Sequence, residues 1–310
     1  MSAAAVEING LRKNFKGFMA VDGLDLNVPE GSIYGFLGPN GAGKTTTLKM
    51  LTGLTQPSSG SIRIYGREVA FGSHRNRTDI GFLPDVPNFY NWMTPIQFLR
   101  FTGELFSIDK KSLNSRVDEL MDMVGLSGVK KKIGGFSRGM KQRLGIAQAL
   151  INQPRIVFMD EPVSALDPLG RKEVMDILIK LSGKVTVFFS SHILSDIERV
   201  CDRVAIMNEG RLLLEDSMEN LRGRYSNGVI NIETDTPENK AVLMEALDKM
   251  NWVEKMESLD HGEFTLHTSD ILKAQHEIPT IIALKGTALK KFILKEPTLE
   301  DIFIKVVDSK

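Results

Sequence analysis

Short runs of β-branched and other apolar residues alternate, over roughly two-thirds of the chain, with segments whose apolar positions recur every three to four residues. The run at 32–37 is followed by a helical period at 44–53, the run at 155–159 by one at 169–181, and the run at 185–189 by one at 194–200. Continuous apolar runs of strand length, separated by helices, describe strands buried on both faces of a largely parallel sheet. An α/β domain reaching to about Leu221 is therefore predicted. Residues 6–8, 24–28 and 61–65 alternate with no helix between them and predict an antiparallel β flank, whereas 95–124 is helical throughout and predicts an α insertion. R-G-R-Y-S-N-G, Arg222 to Gly228, has the composition of a linker. Beyond it, strand patterns at 229–234, 253–259, 263–268 and 289–294 and helical ones at 241–250, 271–278 and 298–306 predict a small α+β domain. The expected division is 1–221 and 222–310.

The clearest chemistry lies at the first strand-to-helix junction. G-P-N-G-A-G-K-T-T, Gly38 to Thr46, fills the pattern G-x-x-x-x-G-K-[ST] between a strand and a helix, the context that gives such a match meaning. Gly38, Gly41 and Gly43 allow the backbone to curl so that N–H groups face phosphates, with Pro39, Asn40, Ala42 and Thr46 completing the cradle. Lys44 reaches β and γ oxygens, and Thr45 offers its hydroxyl to Mg²⁺. The bland alternative is a glycine-rich turn. Further on, I-V-F-M-D-E, Ile156 to Glu161, is an apolar strand ending in two acids, delivered to the sheet edge where ligands of open α/β sheets sit. Asp160 is placed to hold Mg²⁺ through its waters, and Glu161 to act as general base on a water attacking the γ-phosphate. Taken alone, the pair is equally a turn start ahead of Pro162.

A second glycine-loosened helix start, G-G-F-S-R-G-M-K-Q-R-L-G from Gly134 to Gly145, poses a question. A helix N-terminus carries free N–H groups and roughly half a positive charge, which suits an anion. Yet one phosphate loop is already present.

Composition narrows the field. Lys plus Arg total 39 and Asp plus Glu total 39, so no global field draws the chain to nucleic acid. The single cysteine, Cys201, excludes an internal disulfide and reads as a small buried residue in a reducing compartment. The first ten residues lack a basic stretch followed by an apolar core, and no apolar run approaches the roughly 20 residues of a membrane span. The expected setting is cytoplasmic. A guanine-reading N-K-x-D is also missing, since Asn239 and Lys240 continue Ala-Val.

The phosphate loop, F-S-R-G-M-K-Q-R, I-V-F-M-D-E, S-A-L-D-P (Ser164 to Pro168) and S-S-H (Ser190 to His192) follow one another in an order that resembles the ATPase subunit of ABC transporters. The resemblance implies a P-loop ATPase with ATP and Mg²⁺ as cofactors. It implies an aromatic stacking on adenine at Phe15, otherwise a core phenylalanine, and a histidine sensing the γ-phosphate at His192. It answers the question of the second helix start, because in this family that segment closes over ATP held by a facing subunit; Ser137 and Gly139 are then the expected contacts, and Asp167 lies in a loop crossing the dimer interface. F-S-R-G-M departs from the commonest L-S-G-G-Q at Arg138 and Met140 and looks like the form common in bacterial exporter ATPases. Asp85 stands where the family usually has a glutamine touching Mg²⁺, so it contacts the metal directly or through water.

In the family that the chain resembles, the region of the aromatic stretch 86–101 receives the coupling helix of the membrane subunit, which implies the same contact here. Phe98 and Phe101, at helical spacing, are expected in the core, and Phe89, Tyr90 and Trp92 in an exposed loop. The remaining histidines, His74, His261, His267 and His276, have no ligand spacing and are expected at the surface. The tail, ending K-E-P-T-L-E-D-I-F-I, looks like the accessory domain of drug- and antibiotic-export ATPases. The implied function is the ATPase subunit of an exporter, peripheral on the cytoplasmic face of the membrane, paired with a second ATPase subunit and a separate permease. The alternative is a soluble ABC ATPase acting on ribosomes or DNA, against which stand the single ATPase domain and the absence of a basic patch.

Overall fold

A computed structural model describes residues 4–73, 78–224, 228–295 and 297–308. His74 and positions 225–227 of the expected linker lie outside the described residues. The chain forms two compact units, Met1–Met218 with Val306–Lys310, and Glu219–Lys305.

In chain order the first unit holds β1 (Ala4–Phe15), β2 (Phe18–Pro29), β3 (Ile33–Leu37), α1 (Lys44–Leu51), β4 (Ser59–Ile64), β5 (Arg67–Glu68), β6 (Ile80–Leu83), α2 (Pro95–Leu105), α3 (Lys110–Met123), α4 (Arg138–Leu150), β7 (Ile156–Met159), α5 (Pro168–Leu181), β8 (Thr186–Ser191), α6 (Leu194–Val200), β9 (Arg203–Asn208) and β10 (Arg211–Ser217). The flank is a four-stranded antiparallel sheet in the order β2-β1-β4-β5. Its register sets Val6 and Ile8 opposite Val28 and Leu26 on one side and Ile64 and Ile62 on the other, so the period of two turns one face entirely apolar. That face shares a core with Tyr34, Phe36, Phe158 and Phe188 and with Leu48 and Leu51 of α1.

The second sheet runs β10-β9-β3-β8-β7-β6, parallel from β9 to β6, with β10 antiparallel at one edge. Strands β3, β7 and β8 are buried at every position, as strands covered on both faces require, with Thr186, Ser190 and Ser191 the polar members of β8. The insertion between β6 and β7 is helical, as expected. α2 is opened by a capping box in which Thr94 and Gln97 satisfy each other's backbone N–H, and α3 by Asp109. Cys201 is buried, and loss of solvent pushes its thiol well above the usual range, which keeps it inert.

The chain continues with α7 (Met218–Arg224), which from Glu219 belongs to the second unit, β11 (Val229–Thr234), α8 (Pro237–Leu247), β12 (Val253–Ser258), β13 (Glu263–Thr268), α9 (Ile271–Lys285), β14 (Leu289–Lys295) and α10 (Leu299–Asp308), which belongs to it up to Lys305. Its antiparallel sheet, ordered β12-β13-β11-β14, buries Ile230, Ile232, Phe264 and Leu266 with Leu243, Leu247, Trp252 and Ile278. Four details differ from the sequence expectation. α7 takes up the first three residues of the expected linker, and α8 starts at Pro237 because Thr236 caps it, accepting from the Asn239 N–H. α9 does not stop at 278 but continues through the exposed Pro279 to a left-handed Gly286, the signal that ends it. His267, on β13, has a side chain only 32% exposed, with a ring nitrogen 3.9 Å from Glu257.

Candidate functional site

α1 begins at an N-cap, Gly43, with φ of 103° and no side chain to cap it, leaving the N–H groups of its first turn for a ligand. Only glycine fits here. A Cβ on Gly43 would stand 2.4 Å from the Ala20 carbonyl oxygen, and one on Gly38 would stand 2.4 Å from that of Met207. The loop holds its own lysine: buried Lys44 donates from Nζ to the carbonyls of Gly38 at 2.7 Å and Pro39 at 3.2 Å. The same ammonium lies 3.3 Å from Glu161 Oε1.

The two acids leave β7 beside it. Asp160 is buried, and its Oδ1 accepts from Thr45 Oγ1 at 3.1 Å and from Ser190 Oγ at 2.7 Å. Ser190 in turn accepts the Glu161 N–H at 2.9 Å, so one hydroxyl fixes both acids. Glu161 is held at φ 47°, a left-handed conformation that non-glycine residues seldom adopt and that tends to mark working sites. Its Oε2 is 2.8 Å from His192 Nδ1, which places the carboxylate between His192 and Lys44. Register explains the gathering, for Phe158 pairs with Phe188 and Met159 with Phe189, so the polar residues that follow emerge side by side at one edge.

Asn40, Gly41, Gly43, Lys44, Thr45, Thr46, Asp85, Asp160, Glu161 and His192 all line one cavity of about 600 Å³. Burial pushes the Asp85 carboxyl above the ordinary carboxylate range; Arg138 opposes the shift, and Asp160 and Glu161 add to it. Phe15 does not line this cavity. It faces Phe18 across the two-residue turn of Lys16 and Gly17, and Phe18 is the aromatic on the cavity wall. Phe15 is 47% exposed beneath the Lys13 ammonium, which removes the core alternative for it.

Ser137 and Gly139 also stand outside the cavity lining, at the start of α4. Ser137 is the N-cap, accepting the Met140 N–H at 3.2 Å, and Asp167 likewise caps α5 through the Gly170 N–H. In the aromatic stretch Phe98 is buried and Phe101 only partly so, while Tyr90 and Trp92 are exposed. Tyr90, Phe98 and Phe101 line a recess of about 380 Å³ together with Phe89 and Leu105 among others, and Trp92 leans on Tyr90 from outside it. Ser190, Phe18 and Arg138 received no role from the sequence. Ser190 was within reach, because the apolar runs at 155–159 and 185–189, followed by D-E and S-S-H, become neighbours in a parallel sheet.

A phosphate-cradling loop facing paired acids on a mostly parallel sheet defines a P-loop nucleotide-binding protein. Residues 21–164 match the family model described as ABC transporter, and residues 217–307 match that of the ATP-binding protein DrrA1-3-like C-terminal domain. An uncharacterized ABC transporter ATP-binding protein of Bacillus subtilis (strain 168), YxlF, is 38% identical, with 98% of this chain and 100% of the relative covered. The bacitracin transport ATP-binding protein BcrA of Bacillus licheniformis is 36% identical over 97% of each. A solved ATP-binding subunit of an ABC transporter superposes with a TM-score of 0.65 at 27% identity, covering 71% of this chain and 93% of that one. The chain belongs to the ATP-binding subunits of ABC transporters. Such subunits bind ATP or ADP, hydrolyse ATP to drive transport, and work with membrane permease components. No helix among the described residues is long and apolar enough to cross a membrane.

Proposed function

We propose that this chain hydrolyses ATP for an exporter, on the cytoplasmic face of the membrane, as one of two ATPase subunits beneath a separate permease. Residues 1–221 form the ATPase domain, and 222–310 an accessory domain with a structural, dimer-supporting or regulatory role. The observation that carries the hydrolytic reading is Glu161, fixed at 2.8 Å by His192 and at 3.3 Å by Lys44 beside an open phosphate loop. Incoming phosphates replace the loop carbonyls as partners of Lys44. Glu161 is then free of its cation and accepts a proton from the attacking water, while His192 holds its orientation. Phe15 or Phe18, at the tip of the first hairpin, stacks on adenine.

The donors fit Mg²⁺ brought in with the nucleotide. Among the described residues no three His, Cys, Asp or Glu side chains cluster as a cage. Thr45 Oγ1, Asp160 and an Asp85 Oδ1 that is buried without a hydrogen bond would instead hold the ion through hard oxygens, directly or through water. When bound, the ion neutralises charge on the β and γ oxygens.

α4 serves the facing subunit. Ser137 and Gly139 are exposed or half-exposed and absent from this chain's own cavity, which favours a role across an interface. The recess at Phe89, Tyr90 and Phe98, with the exposed Trp92 beside it, docks the permease. Export is supported by the resemblance of F-S-R-G-M to exporter ATPases and by the likeness to the Nod factor export ATP-binding protein I of Rhizobium sp. (strain N33), 31% identical over 99% of this chain. The test is Glu161→Gln with sizing by light scattering. The variant should be dimeric in ATP and monomeric in ADP, with turnover lowered about 10²–10⁴-fold. Dimerisation indifferent to nucleotide would sink the shared-site reading.

A further inference from the structure

Arg138 occupies the first position of α4, where the helix dipole opposes a cation, and no acidic residue in the first turn offsets it. Its counter-charge comes from another element. Arg138 Nη2 is 3.8 Å from Oδ1 of Asp85, in the segment leaving β6. Asp85 needs this cation as much as Arg138 needs the acid. Its Oδ1 is buried with no hydrogen bond, and the carboxylate feels the repulsion of Asp160 and Glu161 across the cavity, which Arg138 and, more weakly, His192 offset. The contact is an ion pair too long for a hydrogen bond, with both side chains about half exposed, so it exchanges readily. Asp85 thus faces two ways: toward the phosphate loop, whose cavity it lines, and toward the helix start that carries Ser137 and Gly139.

We propose that Arg138 is a positioning residue for Asp85, competing with the nucleotide's Mg²⁺ for that carboxylate and so passing the occupancy of the phosphate loop to the start of α4 in the same chain. The inference rests on the reading of the cavity as a Mg²⁺-nucleotide site. Before nucleotide arrives, the guanidinium holds the carboxylate. When the carboxylate turns to the metal, Arg138 is released at a helix start already short of negative charge.

The experiment reads equilibrium binding of a fluorescent ATP analogue during a Mg²⁺ titration, in the full chain carrying Glu161→Gln so that nothing turns over. Arg138→Gln should lower the half-saturating Mg²⁺ about two- to fivefold, the scale of a half-exposed ion pair. Asp85→Asn should raise it, and Arg138→Lys should resemble the parent. The deciding case is the double variant: with Asp85→Asn already present, Arg138→Gln should change nothing. An equal shift in both backgrounds would mean that Arg138 acts only as a distant charge, and no shift in either would mean that it does not compete; both overturn the proposal while leaving the nucleotide site intact. Binding indifferent to Mg²⁺ in the parent would overturn the site reading and this inference together. Thermal melting of each variant separates these results from misfolding.

Discussion

The two glycine-rich helix starts look alike in sequence and are built on opposite terms. At α1 every special feature is dictated from within the chain: Gly38 and Gly43 are glycines because the Met207 and Ala20 carbonyls leave no room for a Cβ. The N-cap of α1 has no side chain, so its N–H groups stay open toward a cavity that the same chain closes with Asp160, Glu161 and His192. At α4 the N-cap is Ser137, which already satisfies one N–H, and no Gly139 constraint of comparable kind exists: a Cβ there would meet only Gly170 Cα, at an ordinary 3.8 Å. One site is finished by its own chain. The other has no internal crowding that demands its glycine, and the proposed contact with a facing subunit would supply the missing reason.

The comparison breaks most readily at its stronger member. Lys44→Ala removes the only cation held inside the loop and should lower ATP turnover on the order of 10²–10³-fold, the scale of losing one fixed donor to a developing anion. Nucleotide binding and hydrolysis by the folded variant are the measurements, and turnover near the parent's would mean that the loop does not hold phosphate. Gly43→Ala asks whether the chain itself demands the glycine. A φ of 103° is closed to alanine and the Cβ would press on backbone, so a loss of about 1–3 kcal/mol from strain alone is expected. In a domain of this size that is a fall of several degrees in Tm, accompanied by weaker ATP binding. An unchanged melting curve would show that the loop relaxes cheaply and that its glycines are not set by internal crowding.

Much of this was legible in the sequence, and the exceptions have a common cause. The α/β alternation, the antiparallel flank and the loop at Gly38 were readable because each is local: apolar runs fix strands, and spacing fixes the cradle. Contacts made between elements were not. Ser190 joins Asp160 to Glu161 only because β7 and β8 pair in register, and Arg138 meets Asp85 only because α4 and the end of β6 converge. Phe15 and Phe18 cannot be ranked without the two-residue turn that sets them opposite each other. In the second unit, Pro279 misleads because a proline tolerated on an exposed face ends a helix only when a better stop is missing, and that stop, Gly286, lies further on.

The smallest expected effect is the most pointed. Gly139→Ala adds one methyl at the second position of α4, where φ is ordinary and the nearest neighbour is at van der Waals distance. Within the chain this costs nothing, and alanine's better helix propensity should leave Tm equal or slightly higher, by up to about 0.5–1 kcal/mol of stability. ATP affinity of the monomer should likewise be unchanged, since Gly139 lines no part of its own cavity. If α4 closes on a neighbour's phosphate, the same methyl stands in the path of that approach, and the ATP-dependent dimer trapped by Glu161→Gln should weaken. The outcome is a change visible only when two chains meet. Loss of ATP binding by the isolated monomer would instead assign α4 to its own chain's nucleotide, and the two helix starts would then differ in position but not in kind.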